Sequence, residues 1–180
     1  MNRLRKYELA VAVNETDHIL GSAQARATVV EYGDLECPNC KQAAPAVRLM
    51  LAHFKDRLRF VFRHFPLEEV HSHALLAAQA AEAAGAQGKF WPMHDVLFEN
   101  QSRLELNDLQ MYATRLELDM TRYDFEIADE VYLQRIREHM DGGVRSGVHS
   151  TPTFFINGQL CDVSYGLQSL EKGIEAALNA

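Results

Sequence analysis

Residues 27–40 read ATVVEYGDLECPNC: a β-branched apolar run ends at Gly33, and two cysteines follow almost at once. Past them, Val47, Met50, Leu51 and Phe54 recur at helical spacing, so a helix is expected from near Cys37 to about His53. The next run, RLRFVFRHF (57–65), puts Leu58, Phe60 and Phe62 on one face and Arg59 and Arg63 on the other, with Val61 between them. It stops at Pro66. Strand, helix and strand in so short a span form a βαβ unit, for which parallel pairing and a right-handed crossover are the rule. The cysteine pair sits at its strand-to-helix junction.

From about Val70 to His139 the pattern is helical throughout. HSHALLAAQAAEAAGAQGKF is Ala-rich until Gly85 and Gly88 stop it, and WPMHDVLFENQ follows as a short helix. Asn107 with Gln110 resembles an N-terminal capping pair, and Thr121 opens further helical stretches. HSHALL and Trp91 read as helix packing. Strand signals return in TPTFFINGQLCDV (151–163), where Asn157-Gly158 is a hairpin turn signal, and LQSLEKGIEAALNA closes the chain as an amphipathic helix. The 180 residues fit one α/β domain, with 10–66 and 148–180 forming its core and 70–140 a helical insertion.

A net charge of −7 and the lack of a basic tract exclude nucleic acid as the expected partner. No apolar run approaches the roughly 20 residues of a membrane span. In MNRLRKYELAVAVNETD the apolar stretch LAVAV meets Asn14, Glu15 and Asp17, too soon for a secretory leader. As written, the expected location is cytoplasmic; a periplasmic or exported chain that had lost its leader would read the same. Three cysteines are too few, and odd in number, for a disulfide scaffold.

That leaves Cys37 and Cys40 for chemistry. A structural zinc site needs four ligands, and beyond the pair only Cys161 and the neighbouring His71 and His73 offer any, so no metal and no cofactor are expected. A helix N-terminus, with unpaired N–H groups and a partial positive charge, favours an anion. Cys37 at that terminus should have a lowered pKa and act as the nucleophile, and Cys40, one turn further in, should resolve the mixed disulfide. Pro38 suits the first helical positions because its missing N–H is no loss there. Glu31, six residues before Cys37, either faces solvent or lies buried beneath the cysteines. If buried, its pKa rises and it can take the proton Cys40 must lose. Thr151-Pro152 is either a cis peptide against the site or a plain strand boundary.

D-H-I-L-G-S-A-Q-A (17–25), the A-T-V-V-E-Y-G-D-L-E-C-P-N-C stretch, G-K-F-W-P-M-H-D-V-L-F-E-N-Q (88–101) and T-P-T-F-F-I-N-G (151–158) occur in order along nearly the whole chain. Together they resemble the DsbA-like thiol:disulfide oxidoreductases of the thioredoxin superfamily. The resemblance implies a thioredoxin fold: a central mixed sheet flanked by helices, with a helical subdomain inserted between the βαβ and ββα halves. It implies an exposed nucleophile at Cys37, a buried partner at Cys40, the family's buried acid at Glu31 and its cis-proline at Pro152, beside the substrate groove. Pro45 matches the proline that kinks the first active-site helix. Pro38, Asn39, Thr151, Pro152 and His149 are the residues expected on the substrate side. The implied partners are cysteine-containing polypeptides and a redox protein or small thiol that recycles the pair. Ser150 stands where the family often has Gly. His149 before it either stabilises the Cys37 thiolate when protonated or is a solvent-facing loop residue. Cys161 is expected as a buried strand residue, with a resolving or sensing role as the alternative. The sequence leaves open the direction of electron flow, the oligomeric state, and two other roles for the fold: a non-catalytic peptide-binding or chaperone module, or a redox sensor.

Overall fold

A computed structural model describes residues 7–180; the basic start of the chain, 1–6, lies outside them. Five strands form one mixed sheet, in the order β1-β3-β2-β4-β5. At its centre, β2 (Ala27–Gly33) and β3 (Leu58–His64) run parallel, joined through α1 (Pro38–Phe54). β4 (Thr153–Ile156) pairs antiparallel with β2, and β5 (Gln159–Cys161) pairs with β4 across the Asn157-Gly158 turn. Both turn residues have positive φ, as such a turn requires. This is a thioredoxin-like fold, and β2 to β5 and α1 lie where the apolar patterns predict.

The edge strand β1 (His18–Gly21) is an addition to the sequence reading. Its four residues, HILG, are too few for alternation to be visible. Gly21 is required there: a Cβ would stand 2.3 Å from the Leu58 carbonyl oxygen, and φ is +92°.

Five helices separate β3 from β4: α2 (Ala74–Gly85), α3 (Phe90–Glu99), α4 (Leu106–Arg115), α5 (Met120–Ala128) and α6 (Leu133–Arg145). Two expectations need correction. Asn107 lies inside α4, whose N-cap is Glu105; side-chain capping falls instead to Asp119, which accepts from the Arg122 amide at 3.1 Å. The helical stretch also runs past residue 140 to Arg145. Gly142 and Gly143 look like a stop, yet they bring α6 onto the sheet: a Cβ on Gly143 would lie 2.7 Å from the Phe65 ring. The closing helix is α7 (Gln168–Asn179).

Strand alternation sorts the side chains to two faces. On one face, Val29, Phe60, Phe62, Phe154 and Ile156 pack with α1, α2, α3 and α7 in the larger core. On the other, Val30, Tyr32, Val61 and Phe155 join Phe65 and Val148 in a smaller core. Arg63 belongs to that second face and is 2 % exposed. Its guanidinium donates to both Asp17 oxygens at 2.8 Å, to the Val11 and Ala12 carbonyls at 2.8 and 3.0 Å, and to the Tyr32 hydroxyl at 3.2 Å. Every acceptor that a buried guanidinium needs is present, so the charge ties residues 11–17 to the sheet.

Candidate active site

Cys37 is the N-cap of α1, with extended backbone at φ −72°, ψ 123°, and Pro38 opens the first turn. Cys40 lies one turn further in and is fully buried. Both thiols are free. The implied exposed nucleophile needs correction: Cys37 is only 4 % exposed. The loop at Thr151-Pro152 covers it, and the Cys37 thiol donates to the Thr151 carbonyl at 3.4 Å. That loop's peptide bond is cis.

The two thiols differ sharply. Cys37 is held down to about 5, first by a hydrogen bond from the Cys40 thiol, then by Thr151 and the backbone amides of Cys40 and Asn39, with burial opposing. Thr151 Oγ1 is buried with no other partner among the described residues, so its hydroxyl is free to turn to the thiolate. Cys40 moves the opposite way, pushed far up by burial, by its bond to Cys37 and by the Glu31 charge. The Asp34 amide, 3.4 Å from Cys40 Sγ, is a backbone donor that favours its thiolate.

Glu31 sits on β2 opposite Phe62 of β3, on the face that meets α1. It is 3 % exposed, and its Oε1 has no hydrogen-bond partner among the described residues. Burial, then the Cys37 charge, pushes its carboxyl up to about 8. The choice between a solvent-facing and a buried Glu31 thus resolves to buried. Pro38 and Asn39 are exposed beside the pair. Asn39, Gln42, His149, Thr151 and Pro152 line an open groove of about 690 Å³. His149 is exposed on that groove with no side-chain bond to Cys37. Cys161 lines the same groove, only half-buried because β5 is an edge strand, with Sγ 3.7 Å from the Ser169 carbonyl.

The histidines near Cys37 are others. HSHALL was expected to serve helix packing, and Ala74 and Leu76 do; His71 and His73 instead bind the loop between β2 and α1. His71 Nδ1 lies 2.8 Å from Asp34 Oδ2, and His73 Nδ1 lies 3.0 Å from Glu36 Oε1. Burial lowers the His71 pKa, but Asp34 and then the Cys37 thiolate raise it to a net increase. Asp34 also accepts from the Leu67 and Glu36 amides at 2.9 and 2.8 Å. Gln101 Nε2 donates at 2.9 Å to the carbonyls of both Leu35 and Cys37. One signal was visible: two acids two apart in sequence, and two histidines two apart. Their pairing depends on the fold.

A thioredoxin family model matches residues 13–176. The chain belongs to the thioredoxin family. Its fold is DsbA-like within that family. The chain is 26% identical to DsbA2 from Pseudomonas aeruginosa, covering 92% of this chain and 96% of that one with a TM-score of 0.71. A thioredoxin-like oxidoreductase from Silicibacter pomeroyi DSS-3 superposes with a TM-score of 0.82 at 24% identity, over 93% of this chain and 95% of that one. Among curated proteins, this thioredoxin-family chain is 48% identical to the Na+/H+ antiporter NhaA 1 of Salinispora arenicola (strain CNS-205) over 171 residues. That match takes in 94% of the chain but 26% of the antiporter, so the chain spans about a quarter of the relative's length.

Proposed function

We propose that the chain is a protein thiol:disulfide oxidoreductase that exchanges disulfides with cysteine-containing polypeptides. The observation that carries this reading is the inequality of the two thiols: an acidic Cys37 at a helix terminus and a buried, weakly acidic Cys40 one turn away. A substrate thiolate attacks Cys37 of the disulfide-bonded pair, and Cys40 leaves. Glu31, protonated below about 8, supplies the proton that Cys40 needs. A second substrate thiolate then displaces Cys37, which leaves readily because its thiolate is stable. In the reverse direction Cys40 attacks the mixed disulfide and Glu31 takes its proton. A stable Cys37 thiolate favours the reduced protein, so the proposed direction is donation of disulfides to substrate, with a partner protein or small thiol reoxidising the pair. The groove beside Pro152 would hold the substrate chain. Na+/H+ exchange is not part of the proposal, because the match covers 26% of that relative.

The test is trapping. In Cys40→Ser, the Cys37 thiolate should attack a disulfide of an unfolded, oxidised polypeptide, release one substrate thiolate and accumulate as a mixed disulfide on a non-reducing gel, and Cys37→Ser should give none. A binding module without redox chemistry would retain the polypeptide equally well as the Cys37→Ser variant.

A further inference from the structure

Glu31 opens onto a cavity of about 210 Å³ that the groove does not share. Its walls are mostly apolar, built from Leu20 on β1, Val47 and Leu51 on α1, Phe60 on β3 and Trp91 on α3. Four ionisable side chains meet it: Glu31 from the sheet, Arg48 from α1, and His94 and Asp95 from α3. A buried carboxyl with an unpartnered oxygen makes the inner end polar. The volume is several times the roughly 30 Å³ that one water occupies in the liquid.

His94 is 6 % exposed, boxed by Phe98, Phe62 and Trp91 at ring-centroid distances of 4.8, 4.9 and 5.1 Å. Its Nδ1 lies 3.0 Å from Asp95 Oδ1, which leaves Nε2 to accept or pass on a proton. Asp95 pairs in turn with Arg48. The Arg48 side chain is 52% exposed and that of Asp95 34%, so the pair marks the outer end. Burial, then His64 on β3 and Arg48, lower the His94 pKa, against the pull of Asp95.

When Cys40 attacks the mixed disulfide, the Cys37–Cys40 bond forms and the bond from Cys37 to the substrate sulfur breaks. The electron pair leaves with the substrate sulfur as thiolate, and the Cys40 proton moves to the Glu31 carboxylate. Below about 8 Glu31 is itself protonated, so it must release its own proton before it can take that of Cys40. The active-site side is closed, because Cys37 is 4 % exposed beneath Thr151. We propose that the cavity is the proton exit of Glu31, with His94, oriented by Asp95, relaying the proton through cavity water to the Asp95–Arg48 mouth. This inference rests on the thiol-exchange reading and adds to it a relay residue from the helical segment.

Ellman's disulfide reagent separates the steps. Cys37 releases the first equivalent of thionitrobenzoate, and Cys40 releases the second as it resolves the mixed disulfide. His94→Gln, and Ala44→Leu as a plug in the cavity wall, should each slow the second phase roughly ten-fold below pH 8 and leave the first unchanged. Added imidazole should restore His94→Gln but not Ala44→Leu. If both folded variants keep the wild-type second phase and its pH profile, the relay is wrong while thiol exchange stands. If His94→Gln does not fold, Ala44→Leu decides alone. A wild-type protein that gives no second phase at any pH overturns the thiol-exchange reading and the relay with it.

Discussion

At the scale of the residue, the site is a division of two protons and one negative charge among three groups. Cys37 holds the charge, and Glu31 and Cys40 each hold a proton. Removing the Cys40 donor takes away the first cause of the Cys37 shift, so Cys40→Ala should raise the Cys37 pKa above about 5, measured by the pH dependence of alkylation. Glu31 makes a prediction on stability. Its folded pKa is about 8 against an ordinary 4.5, so over that window the folded state holds a proton the unfolded chain has lost. Stability from this group therefore declines as pH rises from 4.5 to 8. Glu31→Gln should stabilise the fold by about 3 kcal/mol at pH 7, and by little at pH 4, in urea titrations. The same variant should slow the second phase of the disulfide-reagent reaction, because the proton acceptor is gone. A variant that is destabilised at pH 7 would contradict a buried, unpartnered carboxyl.

At the scale of the element, helix and strand periods carry most of what could be read in advance. β2, α1 and β3 follow from the run of β-branched residues, the helical recurrence of Val47, Met50 and Phe54, and Pro66. The asymmetry of the cysteines follows from where α1 begins. Contacts between distant segments were not legible: His71 with Asp34, Gln101 with the Cys37 carbonyl, and Arg63 with Asp17. Each is a polar pairing that neither partner's neighbours announce. Arg63 in particular reads as a solvent-facing strand residue until Asp17 covers it. Breaking a buried pair by removing one partner leaves an uncompensated charge, so Asp17→Ala should destabilise the protein by about 3–5 kcal/mol, measured by chemical denaturation. Tolerance of that substitution would mean residues 11–17 are not held as described.

At the scale of the whole molecule, ionisable groups also fasten the helical segment to the sheet. Glu82 on α2 is 3.0 Å from His18 of β1, 3.1 Å from His64 of β3, and 2.8 Å from Arg135 of α6. Burial and His64 hold His139 down to about 3, and burial lowers His64 as well. Both rings bind a proton less readily in the folded protein than in the unfolded chain. Their sign is thus opposite to that of Glu31: stability falls as pH drops below about 6.5, the ordinary histidine value. Melting temperature should fall on the acid side in the wild type, and His139→Phe should flatten that limb. Redox state should matter too, since the thiolate exists only in the reduced protein. With Cys37 near 5, its ionisation stabilises the reduced form by about 2–3 kcal/mol at pH 7, or about 60 mV in potential.

The thiolate itself can be measured directly, by ultraviolet absorbance of the reduced protein titrated with acid, using Cys37→Ser as the blank. The account predicts a single thiolate lost with a midpoint of about 5, while Cys40 contributes no absorbance up to pH 9. A midpoint near 8.5, the value of an ordinary thiol, would contradict it.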